Sequence, residues 1–119
     1  MAFQTEVEFT LPKGYLDGNG VLHREGVMRL ATAADEILPL KDPRVQQNPA
    51  YLTIIVLARV VTRLGALPDV NTKVIEGLFA SDLSYLQALY ESLNGDGGEE
   101  ASSVLFEHAS REFGVMGEA

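Results

Sequence analysis

The sequence predicts an α+β protein in which an N-terminal β-hairpin packs on a small bundle of three to five helices. Three observations predict it: strict alternation of apolar residues at the N-terminus, an almost wholly apolar central stretch, and a longer apolar stripe at helical spacing after it. At 119 residues the chain has the length of one domain. That domain is expected over 1–94, with the hairpin at 3–30 and the helical part at 31–94. Residues 95–119 are expected to form a flexible tether able to carry a short C-terminal helix.

The hairpin begins with Phe3, Thr5, Val7, Phe9 and Leu11 on one face and Gln4, Glu6, Glu8 and Thr10 on the other. A period of two marks a strand with one buried face. Pro12 and Gly14 end it, and Asp17-Gly18-Asn19-Gly20 supplies residues that tolerate positive φ in a turn. A second strand is expected from about Val21 to Leu30, with Leu22, Met28 and Leu30 on one face and Val27 opposite. An isolated hairpin is marginal in water, so these strands must cover the helices or pair with another chain.

Helical signals follow in order. Thr32 can cap a short helix, with Asp35 three residues on as the reciprocal acid of a capping box. Asp42-Pro43 offers a second start, with Pro at the first helical position. The strongest signal runs from the Asn48 cap through Pro49 to Leu64, with Gly65 as its stop. Its centre, Tyr51 to Val61, is apolar nearly all round, which suits a central helix. Arg59 and Arg63 interrupt it well short of the ~20 apolar residues of a membrane span. From Asn71, Val74, Ile75, Leu78 and Phe79 start a stripe that Leu83, Leu86, Leu89, Tyr90 and Leu93 continue. Ser81-Asp82 can cap a new helix, so a break is expected near Ala80. Asn94-Gly95-Asp96-Gly97-Gly98 then ends regular structure, and Glu99–Phe113 has the pattern of a short amphipathic helix.

Net charge is −8, and a polyanion such as nucleic acid calls for a cationic stripe. Only Arg59 and Arg63 share the face of a predicted helix, so nucleic acid is not expected as a partner, and the acidity is read as solubility. The chain has no Cys, which removes disulfides and thiolate chemistry. The first ten residues have neither a basic start nor an apolar core, so they do not read as a signal peptide.

No set of residues adds up to a catalytic, cofactor-binding or metal centre. His23 and Glu25 share a strand face and read as a surface pair. His108 and Glu112 stand four apart on the predicted C-terminal helix, but two ligands fall short of the three or four a metal needs. Asp17-Gly18-Asn19-Gly20 starts like a calcium loop and then places Val21 and Met28 where the fifth and twelfth positions need oxygen ligands, leaving a turn. Adjacent carboxylates such as Asp35-Glu36 and Glu99-Glu100 read as solvated surface. No Ser lies in a nucleophile elbow and no Gly run precedes Lys-Ser or Lys-Thr. The chain is therefore read as a protein-binding module and not as an enzyme.

Several local motifs occur in an order that resembles the phage tail assembly chaperones of Mu-like contractile-tailed phages, with their relatives in phage-tail-derived contractile injection systems. They are Phe9-Thr-Leu-Pro-Lys-Gly-Tyr15, Leu22-His-Arg-Glu25, Met28-Arg-Leu-Ala-Thr-Ala-Ala-Asp-Glu36, Asn48-Pro-Ala-Tyr-Leu52, Leu57-Ala-Arg-Val-Val-Thr-Arg-Leu-Gly65, and Leu78 to Tyr90. The resemblance spans residues 9 to 93 and stops at Asn94. It implies a non-enzymatic chaperone, acting in the cytoplasm of the producing bacterial cell, whose partner is a tape-measure-like tail protein. A structural component of the tail or baseplate, or a cargo-loading adaptor of an injection system, would use the same surfaces. Partner contacts are expected at Phe9 and Tyr15 on the hairpin and at Leu105 and Phe106 in the tail. A homo-oligomer stays open; no cofactor, metal or membrane is expected.

Overall fold

The hairpin forms and acquires a third strand. In the computed structural model, which describes residues 5–95, β1 (Glu6–Leu16) and β2 (Leu22–Arg29) pair antiparallel. Asp17 builds the turn between them: its Oδ1 accepts the N–H groups of Asn19 at 2.8 Å and Val21 at 2.9 Å. Gly20 takes φ +81°, the left-handed region where an L side chain is strained.

β3 (Val61–Leu64) pairs antiparallel with the other edge of β2, giving the order β1-β2-β3. This corrects the helix expected to run to Leu64, which ends at Val60. Val60, Val61 and Thr62 are β-branched and lose little by leaving a helix. Extension also lets the chain pair with β2, a ladder that continues where the Gly65 N–H donates to the Glu25 carbonyl at 2.7 Å. Gly65, at φ +55°, then turns the chain away. The third strand helps resolve the marginal stability of a lone hairpin.

The register fixes the two faces of the sheet. Phe9, Gly26 and Leu64 stand in one row across it, and Val7, Met28 and Val61 in another. Apart from the half-buried Val7, these residues are buried, and together they face the helices with Leu52, Val56, Leu57, Val60, Leu86 and Tyr90. A Cβ on Gly26 would fall 2.4 Å from the Arg63 carbonyl oxygen and 2.6 Å from the Phe9 ring. Glycine is thus required for that ring to lie across the sheet. Glu8, Val27 and Arg63 form a row on the opposite face.

The helical part follows its capping signals. Thr32 and Asp35 form the capping box that starts α1 (Ala33–Ile37). A 3₁₀ turn at Leu38–Lys41 accommodates Pro39, and Asp42 caps α2 (Pro43–Gln47). Asn48 accepts the Ala50 N–H at 3.2 Å, so it caps a leading turn before α3 (Tyr51–Val60). Asn71 caps α4 (Thr72–Glu76). The break falls at residues 77–79, next to the expected Ala80, and α5 (Ala80–Asn94) follows with Phe79 at its cap position. Phe3, the tether and the predicted helix of residues 99–113, including His108 and Glu112, lie outside the described residues.

Candidate protein-interaction surface

The motif Leu11-Pro12-Lys13-Gly14 is a bulge. Four residues of β1 sit opposite the single residue Arg24 of β2, because pairing jumps from Thr10–Glu25 to Tyr15–His23. A bulge leaves backbone polar groups without ladder partners, and here two side chains supply them. Asp82, on the first turn of α5 and 0% exposed, accepts the N–H of Lys13 at 2.9 Å and of Gly14 at 2.8 Å. From the other side Arg24 donates to the carbonyls of Leu11 at 3.0 Å and Pro12 at 3.3 Å. The Asp82 side chain therefore reaches across to β1 instead of capping its own helix.

This bulge delivers Tyr15 and the hairpin tip. Tyr15 is half-buried, with its ring tilted against His23 at 6.4 Å. His23 is buried: its Nδ1 accepts the Ala66 N–H at 3.2 Å, which places the proton on Nε2, and Nε2–H donates to Asp17 Oδ2 at 2.7 Å. That hydrogen bond, with support from the Val21 and Asn19 amides, holds the Asp17 carboxyl below its ordinary value. The expected surface pair of His23 with Glu25 is thus overturned, since His23 is consumed in fixing the turn. At the tip, Leu16 is 54% and Leu22 50% exposed, and the two stand directly opposite each other. Val21 beside them is also exposed. The result is an apolar tip on a turn pinned from within.

At the far end of the sheet a second polar cluster ties elements together. Asp35 is buried and takes both Arg29 Nη atoms, at 2.8 and 3.1 Å, and Arg59 Nε at 2.9 Å. It also accepts the Thr32 N–H at 2.7 Å. The Arg29 guanidinium, with the Thr32 amide and Arg59, holds the Asp35 carboxyl well below the usual carboxylate range against the opposing effect of burial. Glu36 accepts the Tyr90 hydroxyl, and burial followed by Glu36 pushes that phenol upward. Asp35-Glu36 is therefore not the solvated pair expected. Arg59 and Arg63 also do not share a helix face, because Arg63 lies on β3. Past this cluster Ile37, Leu38 and Leu40 are exposed, as is Phe79 elsewhere.

The expected contact residues fare differently. Phe9 is 5% exposed and packs edge-on against Tyr85, so it serves the core and is withdrawn from any preformed surface. Tyr15 sits beside the exposed tip, and Leu105 and Phe106 lie outside the described residues. Leu22, expected on the apolar face with Met28 and Leu30, is instead exposed at the tip, and Leu16 and Val21 beside it had no surface role in the alternation pattern. Their signal was the pairing of two leucines across the Asp17–Val21 turn. Among the described residues no group of three or more His, Asp or Glu is placed to hold a metal ion, and no helix is long and apolar enough to cross a membrane. Comparison of the chain with family models, curated proteins and solved structures gives no match.

Proposed function

We propose that this chain is a non-enzymatic binding protein of the phage-tail assembly type, a chaperone that holds a tape-measure-like helical tail protein in the cytoplasm of the producing cell. The observation that carries this reading is the rigid apolar tip formed by Leu16, Val21 and Leu22. A long helical chain awaiting assembly presents apolar stripes that must be shielded, and a preorganised apolar knob can pack on such a stripe with little ordering cost. The order of motifs from Phe9 to Tyr90 supports the same reading. The buried polar side chains Asp82, Asp35 and His23 are engaged in holding backbone and neighbouring charges, which fits a scaffold for binding.

Burying the exposed half of each leucine stabilises a complex by about 1 kcal/mol per side chain. Placing aspartates there adds the cost of burying charge. Coexpression with the long helical tail protein encoded in the same gene neighbourhood tests the proposal. The two proteins should copurify, and Leu16→Asp with Leu22→Asp should weaken the complex by at least about a hundredfold. If the wild-type chain and that tail protein never associate, the proposal fails.

A further inference from the structure

The two edges of the sheet carry opposite charge, and this bears on self-association independently of the tail-protein proposal. Across the face away from the helices the register sets Glu8 opposite Val27 and Val27 opposite Arg63. One row therefore starts with a carboxylate on the β1 edge and ends with a guanidinium on the β3 edge. Glu8 and Arg63 are both exposed, and neither makes an ion pair among the described residues. Among the described residues no further strand pairs with either edge. Phe9 and Val7 pair through their backbones with β2, so the N–H and C=O groups of Glu8 and Thr10 on β1 point outward. Open edges recruit other strands unless charge prevents it.

Charge also selects the arrangement. Two copies joined β1 to β1 would bring Glu8 near Glu8, and two joined β3 to β3 would bring Arg63 near Arg63; like charges on facing strands are destabilising. Joining β1 of one copy to β3 of the next puts Glu8 on the strand beside Arg63, about 5 Å away in the sheet, with both side chains on the same face. The row then repeats as Glu8–Val27–Arg63 from copy to copy. Because β1 and β3 are each antiparallel to β2, they run in the same direction, and the new pairing is parallel.

We propose that the partner of this sheet is a second copy of the chain, docked head-to-tail with its β1 edge on the β3 edge of its neighbour. A contact between unlike surfaces closes into a ring or extends as a filament; it does not stop at a symmetric dimer.

Sedimentation of the full chain over a range of concentrations, with charge-reversed variants, tests this. Wild type should grow beyond the dimer with concentration. Glu8→Arg alone and Arg63→Glu alone should each remain monomeric, and the doubly reversed chain should assemble again. An equimolar mixture of the two single variants should grow beyond the dimer as the wild type does, since Glu8 of one variant pairs with Arg63 of the other and the two reversed edges attract each other in the same way. Amide exchange in the wild type reads the same contact without substitution: protection at Glu8 and Thr10 should rise with concentration. A wild type that stays monomeric with exchange independent of concentration overturns the proposal. So does a mixture that behaves like either variant alone, or a doubly reversed chain that does not assemble.

Discussion

Removing the Asp82 side chain should destabilise the protein through β1, on which it acts from another element. Asp82→Ala strips the acceptors from two backbone donors, Lys13 N–H and Gly14 N–H, at a site where the carboxyl is wholly buried. Each unmet buried donor costs about 1–3 kcal/mol, so the loss of both should be about 2–6 kcal/mol, a large part of the total stability of a small domain. Asp82→Asn keeps one acceptor and turns an NH₂ group towards the other N–H, so about half of the loss should remain. Neighbouring Ser81→Ala should change stability by less than about 0.5 kcal/mol, because Ser81 is exposed. Urea unfolding gives the free energies, and amide exchange at Lys13 and Gly14 locates the effect. Arg24→Ala should cost about 1 kcal/mol, since the bulge carbonyls of Leu11 and Pro12 can turn to water. Asp82→Ala within about 1 kcal/mol of wild type, or a loss that leaves Lys13 and Gly14 exchange unchanged, would refute the role assigned to this carboxyl.

Other substitutions probe the remaining features. The Asp35 carboxyl is lowered in the folded protein, so its contribution is fully present above the ordinary carboxylate range and is lost as pH falls through the folded value. Thermal midpoints should therefore drop below about pH 4, and Asp35→Asn should flatten that part of the profile. Gly26→Ala forces a methyl against the Arg63 carbonyl and the Phe9 ring and should cost about 3 kcal/mol by overpacking; calorimetry would show it, and an unchanged melting temperature would contradict the packing described. Leu16→Asp with Leu22→Asp, both at an exposed tip, should leave stability within about 1 kcal/mol, which separates their binding effect from unfolding.

The hairpin, its turn and the caps at Thr32 and Asp42 were legible in the sequence because each is a local device: a period of two, a run of residues that tolerate positive φ, a side chain two or three residues from its amide. β3 was not. Val60-Val61-Thr62 continues an apolar run that reads as helix from within, and only the open edge of β2, some 35 residues earlier at the Val27 carbonyl that Thr62 reaches, makes extension the better choice. Distance hid the polar roles as well. Asp35 looks solvated until Arg59, 24 residues on, arrives beside it, and Asp82 looks like a helix cap until the Lys13 and Gly14 amides arrive from 69 and 68 residues away. The apolar tip escaped for a different reason: alternation tells which face of a strand is buried but not how a bulge re-aims the residues beyond it.

The ties of α5 also set an order of events in folding. Its first turn reaches Lys13 and Gly14, and Asn94 on its last turn accepts the Ala31 N–H across 63 residues. The hairpin, by contrast, joins partners no more than 23 residues apart. Closing the longer loops carries the greater entropic cost, so α5 should settle onto a sheet already assembled. Loss of the Asp82 bonds should then accelerate unfolding while leaving the refolding rate nearly unchanged. A refolding rate that falls in proportion to stability would instead place α5 in the rate-limiting nucleus.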